Sequence, residues 1–258
     1  MSNAWMPGAG YLRTAADGGQ LKGGAPRAVW QALGADPRIV SARSAAQRLD
    51  QLGRSCHLVW NPLYGEIVQL VPIVRAARSL GCPEGLEQPA PPGAEEAGPI
   101  APPADPPAAP PAARLAEVNA EGRVCAQICV VAFAWEPFTS GPMADLQAIM
   151  SWLDSWGVPR RWPAGRPAAF PLGHAAYRSR RLWARGGHFG ASQVPGSTAD
   201  GPGSVDVEML IGRATPHGIE LRHDGGDTDA QDASASLAVL DGIFGSGEPA
   251  ATSLSRIS

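Results

Sequence analysis

The stretch GGHFGASQVPGSTADGPGSVDV, residues 186–207, places His188, Asp200 and Asp206 among glycines, prolines and small residues ahead of an apolar run. An imidazole and carboxylates spaced by tight turns are the ingredients of a metal-binding loop. Zinc needs three such donors and keeps a fourth position for water, which it acidifies to a pKa of about 7. His57, His188 and Asp200 are the candidate ligands, with Cys129 as a possible thiolate. Cys129 is also a candidate nucleophile, provided His57 or His188 stands beside it as base. Each residue has an ordinary alternative: a hydrogen-bonded structural histidine, a buried apolar thiol, or, for Asp206, the cap of a short helix.

A second cluster carries charge. Arg160, Arg161, Arg166, Arg178, Arg180, Arg181 and Arg185 fall in a stretch without an acid, a pattern suited to anionic polymers such as teichoic acid or nucleic acid. Trp162 with Arg160 and Arg161 forms a candidate substrate-binding group. Trp152, Trp156 and Trp183 are further rings able to stack on sugars, although tryptophans beside a core helix commonly serve packing. The formal net charge is only −3 over 258 residues, so bulk electrostatics do not recruit a polyanion, and nucleic acid is not an expected partner.

These groups need a scaffold. Residues 26–33 (PRAVWQAL) read as a strand. Residues 41–53 read as a helix capped by Ser41, with Ala45, Leu49 and Leu52 inward and Gly53 as its stop. Residues 56–72 read as a hairpin around Asn61-Pro62-Leu63-Tyr64-Gly65, and 73–81 as a short helix. Residues 122–135 form the best strand in the chain, with Cys125, Gln127, Cys129, Val131 and Phe133 on one face and Val124, Ala126, Ile128 and Val130 on the other. Both faces are largely apolar, which predicts a central strand. Residues 142–157 read as an amphipathic helix with Leu146, Ile149, Met150 and Leu153 inward. Residues 158–206 read as a long Gly/Pro-rich loop, and VDVEMLIG as a closing helix. The expected fold class is α/β, a mixed central sheet flanked by helices.

Composition divides the chain. Residues 83–113 hold 11 of its 26 prolines, and 213–258 are polar and acidic. The expected organisation is a domain in two parts, 1–82 and 117–212, interrupted by a disordered Pro/Ala insertion at 83–116 and followed by a disordered tail at 213–258. Cys56, Cys82, Cys125 and Cys129 form no CxxC pair and read as buried thiols. No stretch approaches a membrane span of about 20 apolar residues. The start lacks a basic and apolar leader, so a cytoplasmic location is the expectation, with holin-type release to the cell wall as the alternative.

Five segments, in this order, carry a family likeness: GGAPRAVWQ (23–31), CHLVWNPLYGEIVQLVP (56–72), VNAEGRVCAQICVVAF (118–133), SWLDSWGVPRRWPAGRP (151–167) and GGHFGASQVPGSTADGPGSVDV (186–207). Together they resemble the zinc-dependent N-acetylmuramoyl-L-alanine amidases that share a fold with peptidoglycan recognition proteins, nearest to an actinobacterial or phage-like branch. The resemblance implies that fold, a cell-wall substrate, and zinc held by two histidines and an Asp or Cys, with a carboxylate as proton shuttle. Matched residue by residue, the ligand positions fall on Gln31, Ala191 and Gly201. The acid position falls on Cys129, and the basic position on Ala199. All five are substituted while their flanks persist.

The expectation is a binder of peptidoglycan or muropeptide with little or no hydrolysis and no cofactor. The first alternative is an active zinc amidase using the rearranged ligands His57, His188 and Asp200. The second is an anionic-polymer-binding or regulatory protein.

Overall fold

The computed structural model describes residues 2–14, 17–80, 118–171, 178–197, 199 and 201–212. The chain divides into two compact units, Met1–Pro216 and His217–Ser258. The second lies outside the described residues, as do the Pro/Ala segment, the acidic tail, Cys82 and Asp200. The first unit is an α/β body built on one six-stranded mixed sheet.

Its strands are β1 (Gly10–Tyr11), β2 (Arg27–Ala32), β3 (Leu58–Asn61), β4 (Glu66–Gln69), β5 (Cys125–Val130) and β6 (Gly187–Gly190), ordered β1-β4-β3-β5-β2-β6. Only β3 and β4 pair antiparallel, as the expected hairpin. β3, β5, β2 and β6 run parallel side by side. Every residue of β5 is buried, as two apolar faces require of a strand between two neighbours. One face packs Trp30, Trp60, Ile128 and Val130 against Ile149, Met150 and Leu153 of the helix α2 (Leu146–Ser155). The other packs Val59, Val68 and Cys129 against Ala42, Ala45, Ala46 and Leu49 of α1 (Ala42–Gln51).

Local chemistry explains the element ends. The Ser41 side chain accepts from Ser44 N and caps α1. The Glu66 carboxylate adds bonds from Ala42 N at 2.6 Å and Arg43 N at 3.2 Å, charge that suits the positive end of a helix. Leu52, expected inward, is the C-cap and is exposed. The hairpin turn closes with Gly65 N on Asn61 O at 3.0 Å, and Gly65 takes φ +71°.

Three expectations are corrected. Residues 73–80 are not helical, because their amides bond across the fold: Ala76 N to Gly19 O, Arg78 N to Ser55 O, and Ser79 N to the Gln127 side chain. α2 starts at Leu146 instead of 142, after Met143 and Asp145 adopt φ of 47° and 63°. The stretch 158–206 is not one loop. It contains β6 and the short helix α3 (Arg180–Trp183). The closing helix α4 (Val207–Ile211) forms as expected, with Asp206 accepting from Met209 N at 2.9 Å.

The two sides of the Pro/Ala segment meet. Asn119 Nδ2 donates to Leu80 O at 2.8 Å, and Asn119 Oδ1 also accepts from Gln127 Nε2 at 2.7 Å.

Candidate functional site

Parallel strands leave their carboxyl ends as the place where side chains and loops converge on a ligand. Here β5, β2 and β6 end side by side. Gln31 pairs directly with Cys129, so both side chains lie on one face. Trp30 pairs with Gly190, the last residue of β6, and Ala191 follows directly after it. The loop returning from Ala199 closes over this row. Gly201 O accepts from Ser192 N at 2.7 Å, and a Cβ on Gly201 would stand 3.4 Å from Ala32 N. Gln31, Cys129, Ala191 and Gly201, far apart in sequence, therefore share one junction.

The side chains there are an amide, a thiol, a methyl group and a hydrogen. They do not fit a zinc ion, which needs three imidazole, thiolate or carboxylate donors. Among the described residues no group of three or more His, Cys, Asp or Glu is placed to hold a metal ion. The junction is polar nonetheless: Gln31 Oε1 and Ser192 Oγ are buried without a hydrogen-bond partner. Such groups are costly when left unsatisfied and favour a ligand that supplies the missing partner.

The two histidines lie elsewhere. His57 accepts from Gln127 N at Nδ1 (3.0 Å) and donates from Nε2 to Arg75 O (2.9 Å), so both ring nitrogens are engaged. Burial pushes its pKa down to about 4. His188 stacks between Trp30 and Trp162 and accepts from Trp30 Nε1 at 3.1 Å. It occupies the opposite face of the sheet from Gln31, and burial pushes its pKa down to about 3. Neither imidazole has a nitrogen placed to take a proton from Cys129. That thiol lies in the α1-side core beside Cys56, whose own thiol is pushed well above its ordinary range by burial and by Cys129. Cys56, Cys125 and Cys129 are free thiols.

Arg160, Arg161 and Trp162 do line one open cleft, of about 630 Å³, with Val207, Glu208 and Ile211. The charges are engaged within the chain. Arg160 grips Asp154 through Nε and Nη2, and Arg161 bonds Arg185 O. Arg180 pairs with Glu121. Trp162 donates to Gln193 Oε1 at 2.7 Å, and Trp152 and Trp156 both donate to Asn3 O.

Arg178 is a residue that sequence reasoning counted only as one of a run. Its Nε donates to Ser192 O at 2.9 Å and its Nη2 to Ala199 O at 3.4 Å. It thereby fixes both sides of the loop that closes the junction. Ala199 itself packs against the Val29, Phe189 and Ala191 core. No spacing signal marks Arg178, because its partners are backbone carbonyls.

Comparisons with protein-family models, with curated proteins and with solved structures find no match to this chain.

Proposed function

We propose that this chain binds peptidoglycan or a muropeptide fragment through the carboxyl-end junction of β5, β2 and β6, in an amidase-type fold, with little or no hydrolysis. The supporting observation is the convergence of Gln31, Cys129, Ala191 and Gly201, the positions to which the family resemblance assigns metal and acid, on one polar junction. Without three competent donors there, zinc-bound water and a polarised carbonyl have no residue to depend on. What remains is recognition. Gln31 offers an amide that can both accept from and donate to a peptide amide, and Arg178 holds the loop in place.

Two measurements test this reading together. Retention on purified cell walls is expected, and Gln31→Ala should weaken it. The chain stripped with chelator, reloaded with zinc and freed of excess should carry no stoichiometric zinc by mass spectrometry. No retention on cell walls would remove the binding half. One zinc per chain, lost on changing His188 or Asp200, would establish instead the amidase with rearranged ligands.

A further inference from the structure

Trp162 lines the open cleft of about 630 Å³ beside α4. This cleft is apart from the β5-β2-β6 junction, since Trp162 rests on His188, on the sheet face opposite Gln31. Three flat rings are piled there. Trp30 and His188 have centroids 6.1 Å apart and planes 20° apart, and His188 and Trp162 have centroids 6.3 Å apart and planes 21° apart. Trp30 and His188 are fully buried, whereas Trp162 is half-buried and alone of the three lines the cleft. The pile backs one face of the Trp162 indole. Its Nε1 donates to Gln193 Oε1 at 2.7 Å, which holds the ring against turning. The indole is therefore a fixed apolar plate, and a ligand that packs on it does not have to order it first.

The α4 side of the cleft is built as firmly. Val207 and Ile211, one helical turn apart, line it together. Arg160 ties the two walls: its Nη1 donates to Ile211 O at 3.4 Å while Nε and Nη2 hold Asp154. One cation and one anion keep capacity for a ligand. Arg161 is exposed and engages only Nη2, on Arg185 O. Glu208 is exposed and lines the cleft, and among the described residues its carboxylate accepts no hydrogen bond and forms no ion pair.

Opposite charges beside an apolar plate select the ligand class. An anionic polymer gains from Arg161 and loses to Glu208, and Arg160 is already neutralised by Asp154. A nucleotide can stack its base on an indole, but its phosphate meets the same carboxylate. A purely apolar ligand leaves both charges to be desolvated without partners. A neutral sugar meets none of these objections. The C–H face of a pyranose packs on an indole, and each hydroxyl can both donate to a carboxylate and accept from a guanidinium. β-1,4-linked sugars with equatorial substituents present the broadest such faces.

We propose that the Trp162 cleft is a binding site for a neutral saccharide, a β-1,4-linked pyranose chain that stacks on the indole and bonds its hydroxyls to Arg161 and Glu208. The proposal does not rest on peptidoglycan binding at the junction.

The test titrates cellotriose and the N-acetylglucosamine trimer, both neutral and β-1,4-linked, into the full chain and follows saturation transfer to the sugar protons by NMR. At least one should bind saturably, with transfer strongest to the C–H protons of one ring face. Glu208→Ala changes an exposed side chain, should leave the fold intact, and should weaken binding several-fold. Trp162→Ala should weaken it about tenfold or more, and Trp162→Phe, which keeps a ring in the pile, by less. Thermal unfolding verifies the fold of each variant. The proposal is overturned by no saturable binding of either sugar, by affinity unchanged in both Glu208→Ala and a folded Trp162→Ala, or by adenosine monophosphate taking the cleft where neither sugar does. Sugar binding without retention on cell walls would sink the junction reading and leave this one standing; retention without sugar binding would do the reverse.

Discussion

Trp30 Nε1 donates to His188 Nδ1 at 3.1 Å, and this bond assigns the His188 proton to Nε2. The ring is neutral and stacked between two indoles. With His57 it forms a pair of buried imidazoles whose folded pKa values, about 3 and about 4, lie below the ordinary 6.5.

Such a pair makes stability depend on pH in one direction. Between the folded and unfolded values the unfolded chain binds more protons, so stability rises with pH. The contribution is complete above about 6.5 and is lost as pH falls toward 4 for His57 and 3 for His188. Each histidine should contribute a slope of about 1.4 kcal/mol per pH unit. Urea denaturation at pH 7, 6 and 5 should show the fall. His188→Phe keeps the stack and should remove about half of the slope between pH 6 and 5.

The carboxyl-end junction should accept a metal once donors are restored. A Cβ at Gly201 meets Ala32 only at ordinary contact distances of 3.4 Å and 3.8 Å, so Gly201→Asp fits. Ala191 is 1% exposed, and Ala191→His crowds the core around Phe189 and Val194, at a cost of about 1–3 kcal/mol. The triple variant Gln31→His, Ala191→His, Gly201→Asp should bind one zinc per chain, while each single change binds none. Metal content by mass spectrometry decides it, and a triple variant that folds without zinc would contradict the convergence argument.

Glu121 balances a buried cation. Arg27 is 3% exposed, lies 4.2 Å over the Trp183 ring, and stands 3.5 Å from Glu121 Oε2, which also accepts from Trp183 Nε1 at 2.6 Å. Burial lowers the Arg27 pKa, and Glu121 opposes that effect. Glu121→Ala should therefore destabilise by about 3–5 kcal/mol, while the double change Arg27→Met, Glu121→Gln should recover most of it. Chemical denaturation of the three chains measures the difference.

The Pro/Ala segment should be dispensable for the fold. Its flanks are joined by the Leu80–Asn119 bonds, so the sheet does not need the segment to bring them together. Replacing residues 83–113 with a short Gly/Ser linker should change stability by less than about 1 kcal/mol, since closure entropy varies slowly with loop length. Thermal unfolding of both chains checks this.

The parts of the fold legible in the sequence are those written in local patterns. The Ser41 cap with Gly53, the Asn61–Gly65 turn, and the two apolar faces of β5 each specify an element from a few adjacent residues. β6 escaped notice because GHFG has glycines at both ends. Those glycines are needed because a Cβ on Gly187 would stand 2.6 Å from Arg161 O, and one on Gly190 would stand 2.6 Å from Pro202 Cδ. The segment 73–80 read as a helix because its amide partners come from other parts of the chain, and no window of sequence displays them. The positions of the junction were named by resemblance, but their adjacency follows from strand register. The engagement of His57, Arg161 and Arg178 in backbone bonds is invisible to spacing altogether.

The strand order carries one more consequence. Residues before 81 supply β1, β2, β3 and β4, and residues after 117 supply β5 and β6, yet β5 lies between β3 and β2, and β6 pairs with β2 at the edge. The two portions are threaded between one another, so neither owns a complete sheet. A protease that cuts once between 81 and 117 severs the backbone without separating the molecule. The nicked protein should run as two bands under denaturing conditions and as one species in native buffer, and the two halves made separately should serve as a split pair whose reassembly reports their encounter.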